Sequence, residues 1–218
     1  MLIIFDLDDT LLDTSLVTTK TLLIEIWRDL CLGGWLAGKE EELLLLLDMD
    51  AKALKGAQAL KAFCDHFQLP QECLVASLNK LYAPLMAHIQ VQPVPFAIEA
   101  LQQLHVEHVL AIVSVGEREQ QLAKMKKAGM DSLFFYKILC VSEGEKKCAY
   151  EELLQEQQGI RTLVCGDRVI TDLVPAKELG CMTVHMRRGR GLCEQGDLAS
   201  VDRSVTHMQE LVSIVSNM

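Results

Sequence analysis

Hydrophobic and polar positions divide the chain into a stretch of helical periodicity and a stretch in which strands and helices alternate. Residues 2–7 are almost entirely apolar, as is typical of a buried strand in a parallel sheet. From Thr14 to about Met86, apolar residues recur mostly at spacings of three, four and seven, which predicts helices and no strand. Residues 91–95 contain two prolines and are predicted to form a linker.

Helix-breaking and helix-capping residues within the helical stretch predict where its individual helices begin and end. A Gly-Gly pair ends the first predicted helix, and a leucine-rich block at 39–47 predicts the second. The segment 48–50 offers two aspartates as caps for a third helix, which a Leu-Pro pair is expected to end. Residues 71–86 are predicted to form the last helix, so that this stretch is expected to be a small helical bundle.

Beyond the linker, short apolar runs alternate with segments of helical periodicity, which is typical of a parallel sheet with helices on both faces. The predicted strands are 109–113, 133–141, 162–165 and 182–186, and the predicted helices are 96–104, 118–128, 146–157, 172–179 and 208–215. The pattern predicts the α/β class, with a Rossmann-like core made of residues 1–13 and 91–218. An all-helical domain, residues 14–90, is expected to be inserted into that core.

Composition and charge restrict the classes of partner that we expect. The 218-residue chain has a formal net charge of −9, whereas a nucleic-acid partner would require a basic surface. Its 8 cysteines show no metal-binding spacing, and no basic segment precedes the apolar start as in a secretory signal. No apolar run is long enough to cross a bilayer. We therefore expect a cytoplasmic monomer or homodimer that binds neither nucleic acid nor membrane.

Polar side chains stand where the predicted strands end, and the carboxyl ends of parallel strands share one edge of the sheet. Several carboxylates, one hydroxyl and a lysine are therefore expected to converge on that edge. The residues are Asp6, Asp8 and Thr10 after the first strand, Ser114 and Val115 after the second, Asp167 and Asp172 after the fourth, and Lys146 or Lys147 at the start of a helix.

Carboxylates crowded into one crevice repel one another unless a cation neutralises them. Ligand sets made only of oxygen favour a hard ion such as Mg²⁺, which completes its octahedron with water and phosphate oxygens. Such a site suits phosphoryl transfer: Asp6 is the candidate nucleophile, forming an aspartyl-phosphate, and Asp8 is the candidate general acid and base. Ser114 and a lysine are candidates for binding the oxygens of the transferring phosphoryl group.

These residues resemble the sequence motifs of the haloacid dehalogenase superfamily, in particular its phosphatases with an inserted helical cap. Phe5–Leu11 is similar to the family's first motif, Asp-x-Asp-x-Thr after an apolar strand, and Ser114 stands in the place of the second. The lysine pair resembles the third motif, and Gly166 and Asp167 followed by Asp172 resemble the acidic fourth. The four motifs occur in the family's order, and the resemblance covers the whole chain.

The resemblance implies a Mg²⁺-dependent phosphatase that acts on a small phosphorylated metabolite. It implies that Asp6 is both nucleophile and metal ligand, and that Asp8 moves the proton while its backbone carbonyl binds the metal. Asp167 would be the third protein ligand of the metal. Asp172 would support Asp167 or the lysine, and Thr10 would support the first motif. The helical domain would open for exchange of substrate and close to exclude water.

Two positions of the resemblance need a separate argument: the lysine of the third motif and the residue after Ser114. Lys146 fits the third motif better than Lys147, because the residues three, four and seven positions after Lys146 are apolar or aromatic and would face the core. Many members of the family have Asn where Val115 stands. The missing amide removes a phosphate or substrate contact and leaves the chemistry of the aspartates unaffected.

Three alternatives to a phosphatase stay open. A phosphomutase would use the same core and return the phosphoryl group to a second hydroxyl. A dehalogenase is disfavoured, because Asp8 supplies a proton donor that the departure of a halide does not require. A non-catalytic binding protein of the same fold is disfavoured because Asp6, Asp8 and Asp167 are all present together with a lysine.

Overall fold

The structure is a computed structural model that describes residues 1–83, 88–193, 196 and 198–218. The chain divides into two compact units. One unit joins Met1–Asp13 to Val91–Met218, and the other is Thr14–Gln90. Among the described residues, every helix is too short or too polar to cross a membrane.

The unit Thr14–Gln90 is built from helices that bury their apolar faces against one another. Its helices are α1 (Lys20–Leu32), α2 (Glu40–Lys52), α3 (Gly56–His66) and α4 (Gln71–Leu81), and a π-helical segment, Thr14–Thr19, precedes α1. Leu23, Leu60 and Phe63 are fully buried at the centre of its core. Burial of each such side chain stabilises a fold by about 1.5–3 kcal/mol relative to exposure.

The other unit is built on a six-stranded sheet in which all neighbouring strands are parallel. The strands are β1 (Leu2–Phe5), β2 (Val109–Val115), β3 (Lys137–Val141), β4 (Thr162–Gly166), β5 (Met182–Met186) and β6 (Arg203–Val205). Their order across the sheet is β3-β2-β1-β4-β5-β6, which places β1 between β2 and β4. From β1 the chain adds β2 and β3 on one side and then β4, β5 and β6 on the other, so the direction of winding reverses between β1 and β4. Ligands of such sheets bind in the crevice at that reversal.

Helices cover the sheet and bury its central strand completely. They are α5 (Ala97–Leu104), α6 (Arg118–Lys127), α7 (Lys146–Glu156), α8 (Val174–Glu178) and α9 (Met208–Ser216). Leu2 and Ile4 of β1 share a buried cluster with Tyr150 and Leu153 of α7. Successive side chains of a strand point to opposite faces, so the even-numbered residues of β1 face α7.

The chain passes from the first unit into the helical unit and back at two neighbouring points. The amide of Asp13 donates a hydrogen bond to the carbonyl of Gln92 at 2.9 Å. The amide of Val94 donates to the carbonyl of Leu11, also at 2.9 Å. Arg188, which follows β5, holds Asp13 with both its Nε and a terminal nitrogen, the latter 2.7 Å from Oδ2. The outgoing and returning segments are therefore fastened side by side.

The structure corrects the prediction that Asp48 and Asp50 cap a third helix. Both residues lie inside α2, which continues to Lys52, and the next helix begins only at Gly56. An ion pair between Lys52 and Asp48, 2.7 Å long and four residues apart, fits the helical spacing. The predicted last helix of this unit, 71–86, is described as far as Leu81, and Met86 lies outside the described residues.

Three further element predictions differ from the structure. Residues 133–134 were expected in a strand but belong to a 3₁₀ turn, Ser132–Phe134, where Asp131 accepts a hydrogen bond from the amide of Leu133. The helix expected at 172–179 begins as a π-helical turn, and only Val174–Glu178 is α-helical. Strand β6 was not predicted, because its three residues are too few to show alternation.

Candidate active site

Asp6 and Asp167 stand directly after β1 and β4, on either side of the reversal in winding. Phe5 pairs with Cys165 in the parallel register, and the amide of Asp6 donates to the carbonyl of Cys165 at 2.9 Å. Asp6 continues the alternation of β1, so its carboxylate lies on the face that α7 covers. The apolar run before it therefore determines both the depth and the direction of this side chain.

Lys146, the first residue of α7, binds two of the predicted carboxylates. Its Nζ donates to Oδ1 of Asp6 at 2.5 Å and to Oδ1 of Asp172 at 2.7 Å. Its side chain is only 6% exposed, so these bonds form away from water. The side chain of Lys147 is 44% exposed and pairs with Glu178 at 2.7 Å. The structure thus brings Lys146 into the carboxylate cluster and leaves Lys147 outside it.

Asp172 is buried and held by hydrogen bonds on both carboxylate oxygens. Besides Lys146, its Oδ1 accepts a bond from the hydroxyl of Thr171 at 3.2 Å, and its Oδ2 accepts one from the amide of Arg168 at 3.0 Å. Gly166 leaves the necessary space, because a Cβ at that position would lie 2.6 Å from the Cβ of Asp172. Asp172 is therefore placed to orient Lys146, one of the two supporting roles expected for it.

Asp167 is 3% exposed, and its main chain is fixed from two sides. Nε2 of the buried His185 on β5 donates to the carbonyl oxygen of Asp167 at 3.0 Å. Gly191 packs so closely that a Cβ there would lie 2.9 Å from the same oxygen. The carboxylate itself has the Nε of Arg168 at 3.5 Å from its Oδ2. These contacts present the carboxylate to the crevice beside Asp6.

The three buried aspartates form a compact cluster in which one ammonium, that of Lys146, faces three carboxyl groups. One oxygen of each of Asp6, Asp167 and Asp172 lies within 4.8 Å of the others. Burial raises the pKa of Asp6 to about 7 against the opposing effect of Lys146, and Asp172 adds to the rise. Burial, together with the charges of Asp172 and Asp6, raises the pKa of Asp167 well above its usual value. The cluster would bind an additional cation favourably.

The donor set of this cluster fits a hard divalent cation. Three carboxylates and one ammonium sum to −2 when all are ionised, and a divalent cation would bring that sum to zero. All the donors are oxygens, as Mg²⁺ prefers, and Asp6 and Asp167 flank the crevice. Both oxygens of Asp172 already accept hydrogen bonds, so it is a weaker candidate for direct ligation.

Two side chains of α6 that were not predicted from the sequence contact Asp8, and one of them, Gln121, also contacts Ser114. Nζ of Lys124 lies 2.9 Å from both carboxylate oxygens of Asp8. Nε2 of Gln121 lies 3.1 Å from Oδ2 of Asp8, 2.9 Å from Oγ of Ser114 and 2.9 Å from the carbonyl oxygen of Val115. The sequence feature that could have indicated these two residues is their spacing: they are polar and lie three positions apart on the helix that follows the second motif.

The remaining predicted positions lie near this group. Thr10 is fully buried, and its hydroxyl has no hydrogen-bond partner in the part of the chain that the structure describes. Asp9 has a φ of +60° and donates from its amide to the carbonyl of Leu12 at 2.7 Å, the conformation of a turn residue. Val115 is the last residue of β2, with a side chain that carries no hydrogen-bonding group.

Comparison with known proteins places the chain among hydrolases. The model of the haloacid dehalogenase-like hydrolase family matches residues 1–180. A relative from Methanocaldococcus jannaschii, a glyceraldehyde 3-phosphate phosphatase, is 30% identical over 135 residues. That match covers 59% of this chain and 58% of the relative, so the chain spans little more than half of the relative's length.

Two solved structures share the fold over nearly the whole chain. A haloacid dehalogenase-like family hydrolase from Streptococcus pneumoniae has a TM-score of 0.70 at 21% identity, covering 98% of this chain and 97% of its own. Another from Xanthomonas campestris has a TM-score of 0.64 at 18% identity, covering 100% of this chain and 91% of its own. With a family model that matches most of its length and a sheet of the same fold, this chain belongs to the haloacid dehalogenase-like hydrolase family.

Proposed function

We propose that this protein is a Mg²⁺-dependent phosphatase that hydrolyses a small phosphorylated metabolite through an aspartyl-phosphate. The observation that carries the proposal is the buried contact between Asp6 and Lys146, formed beside Asp167 at the reversal in winding. A nucleophilic carboxylate, a fixed cation and further carboxylates for a metal are what phosphoryl transfer requires in one place.

Two steps complete the reaction with Asp6 and Asp8. In the first, a carboxylate oxygen of Asp6 attacks the phosphorus atom, the bond to the leaving oxygen breaks, and Asp8 gives that oxygen its proton. In the second, Asp8 takes a proton from water, whose oxygen attacks the phosphorus of the aspartyl-phosphate. Phosphate leaves and the carboxylate of Asp6 is restored, so that water is the only other reactant consumed.

Lys146 and Ser114 have binding and orienting roles in this scheme. Lys146 holds Asp6 in one rotamer and offers positive charge to the oxygens of the transferring group, and Asp172 keeps Lys146 in place. Ser114 is 1% exposed and presents its hydroxyl from the neighbouring strand β2. A well-placed electrostatic donor of this kind lowers a barrier by about 3 kcal/mol.

Asp6, Asp167 and the backbone carbonyl of Asp8 would hold Mg²⁺. When bound, the ion would supply the positive charge that the cluster lacks and reduce the repulsion between Asp6 and an incoming phosphate. Residues 14–90 would serve as the inserted cap domain. The eight free cysteines fit a reducing compartment such as the cytoplasm.

The first substrates to test are small phosphate esters. The relative from Methanocaldococcus jannaschii is a glyceraldehyde 3-phosphate phosphatase, which makes triose phosphates a rational starting point. The proposed chemistry acts on the phosphoryl group alone. The carbon skeleton would therefore be selected elsewhere, and a panel that also includes sugar phosphates and phosphorylated acids is needed.

The test measures phosphate release from this panel with Mg²⁺ for the wild type, for Asp6→Asn and for Asp65→Asn. Asp65 is exposed on α3 and controls for loss of an acid elsewhere. We expect release by the wild type and Asp65→Asn, and none by Asp6→Asn. Borohydride reduction during turnover should convert Asp6 to homoserine, which peptide mass spectrometry detects.

Other outcomes would select one of the alternatives. Release by Asp6→Asn at the rate of the wild type would exclude Asp6 as the nucleophile. Interconversion of two sugar phosphates without net phosphate release would indicate a phosphomutase. A folded wild type that transforms no compound of the panel would favour a non-catalytic binding protein.

A further inference from the structure

We propose that Gln121 and Lys124 are positioning residues that hold the carboxylate of Asp8 where it can reach the leaving oxygen. This inference rests on the proposed function, because it assigns a task to two further residues of the same site. Neither residue belongs to the four motifs. Both come from one helix, α6, which connects the position of Asp8 to that of Ser114.

Lys124 makes the more direct contact with Asp8. Its Nζ is equidistant from the two carboxylate oxygens, at 2.9 Å from each, so that it bridges both of them. The side chains are 17% and 30% exposed, which places the ion pair at the open side of the site and not in the core. An aspartate just past a strand end has several rotamers available, and this two-point contact selects one of them.

Gln121 fixes the position of Asp8 relative to the second strand. Its side chain is 2% exposed, and its Nε2 lies within 3.1 Å of acceptors on Asp8, Ser114 and Val115. All three acceptors surround the same nitrogen, which identifies it as the amide nitrogen. Gln121 therefore ties the expected proton donor, Asp8, to the expected phosphate-binding hydroxyl of Ser114.

The backbone before α6 is shaped to admit this glutamine. Gly116 has a φ of +136°, a conformation that favours glycine, and a Cβ there would lie 3.2 Å from Nε2 of Gln121. Gln121 and Lys124 are three residues apart, so both project from one face of the helix toward Asp8. One short helix thus carries both contacts, and the turn that starts it leaves room for the inner one.

The consequence concerns which substrates depend on this arrangement. An alkyl phosphate has a poorly stabilised leaving oxygen and needs a proton from Asp8, whereas p-nitrophenol leaves as a stable anion. A misplaced Asp8 should therefore slow the hydrolysis of an alkyl phosphate selectively. The ratio of kcat/KM for the two substrates reports the first step, in which Asp8 protonates the leaving oxygen. The attack of water on the aspartyl-phosphate follows departure of the leaving group and therefore does not affect this ratio.

The experiment measures that ratio for the wild type, Lys124→Met, Gln121→Leu and Lys124→Arg, with glyceraldehyde 3-phosphate and p-nitrophenyl phosphate. General acid catalysis contributes about 10²–10⁴-fold, so we expect the ratio to fall by about tenfold or more in Lys124→Met and Gln121→Leu. Lys124→Arg should recover part of the loss, because a guanidinium also binds both oxygens of a carboxylate. Lys126→Met, an exposed change on the same helix, should leave the ratio unchanged.

A second measurement does not depend on turnover. Urea unfolding of Asp8→Ala, Lys124→Met and the double variant should show coupling: the double variant should unfold at nearly the same midpoint as the single ones. Additive shifts of the midpoint would overturn the contact. A folded wild type that releases phosphate from no compound of the wider panel would overturn the proposed function as well, whereas an active wild type with an unchanged ratio in Lys124→Met would overturn the positioning role alone.

Discussion

Gly166 and Asp172 are in such close contact that a side chain at position 166 would displace the carboxylate of Asp172. A Cβ on Gly166 would lie 2.6 Å from the Cβ of Asp172 and 2.8 Å from its Cγ, distances that no pair of unbonded carbons tolerates. Asp172 in turn holds Lys146, which holds Asp6. The last residue of β4 thus affects the position of Asp6, the proposed nucleophile, through two hydrogen bonds.

Replacing Gly166 with Ala should therefore disturb both stability and the site. Overpacking of this kind destabilises a fold by about 1–3 kcal/mol, which urea unfolding of the metal-free protein would measure. We expect phosphate release to fall more than the loss of folded protein explains, because Lys146 loses its second carboxylate. An unchanged unfolding midpoint together with full activity would contradict the close contact.

Lys146→Met should destabilise the metal-free protein strongly at neutral pH, whereas Lys147→Met should have little effect. Removing one partner of a buried ion pair costs about 3–5 kcal/mol, because Asp6 and Asp172 would remain as uncompensated buried charges. Lys147 pairs on the surface with Glu178, and such pairs contribute about 0–1 kcal/mol. Equal unfolding midpoints for the two variants would contradict the assignment of Lys146 to the cluster.

The loss in Lys146→Met should depend on pH in a defined direction. Without the ammonium, the pKa of Asp6 rises further above its value in the unfolded chain, so the folded variant binds more protons than the unfolded one. Stability then increases as pH falls through the raised pKa. Unfolding curves at pH 8 and pH 5, values we choose to bracket a pKa of about 7, should show the smaller loss at pH 5.

Mg²⁺ should stabilise the wild type and have much less effect on Asp167→Asn. A ligand present at 100 times its dissociation constant stabilises the folded state by about 2.7 kcal/mol, which thermal unfolding detects as a higher Tm. Asp65→Asn, which removes an exposed acid on α3, should keep the full shift. Failure of Mg²⁺ to raise the Tm of the wild type would contradict the proposed metal site, and an equal shift in Asp167→Asn would exclude Asp167 as a ligand.

Asp202 should contribute stability at neutral pH that disappears in acid. Partial burial opposes ionisation, but hydrogen bonds from Lys177 at 2.5 Å and from the amide of Thr183 at 2.9 Å lower the pKa of Asp202 below its usual value of 3.8. A carboxylate with a lowered pKa stabilises the fold above the unfolded pKa and loses that contribution as pH falls through the folded one.

Asp202→Asn should accordingly lower the free energy of unfolding by about 1–2 kcal/mol at pH 7, and the difference from the wild type should shrink as the pH falls below 3.8, the usual pKa of an aspartate. Urea unfolding across this range is the measurement. Asp48→Asn, which breaks an exposed pair with Lys52, is the matched control and should change stability little at any pH. A loss for Asp202→Asn that persists undiminished in acid would contradict the role of its charge.

The sequence predicted the α/β core because its signals are local. An apolar run that ends in Asp6, or a run that ends in Gly166 and Asp167, contains both the strand and its functional residue within a few positions. The parallel order of the strands then follows from general rules about crossovers. The fold class, with helices around a parallel sheet, is confirmed by the structure and by the solved structures of the same fold.

The features that were missed depend on contacts distant in sequence. Gln121 is a polar residue on a helix, and its hydrogen bond to Asp8 joins residues that lie 113 positions apart. The continuation of α2 past Asp48 could not be predicted either, since aspartate serves equally well in a helical ion pair and as a cap. The preference of a single residue does not determine whether a helix ends or continues there, because tertiary packing overrides it.

The hydrogen bond between Asp13 and Gln92 joins the residues that flank the inserted helical segment. Because the inserted segment begins and ends at neighbouring positions, replacing it with a shorter or longer segment would not change the distance between the ends of β1 and β4. Asp6 and Asp167 could keep one chemistry while the inserted segment diverged. Changes in the length or sequence of the inserted segment therefore leave the positions of the two aspartates at the ends of β1 and β4 unaffected.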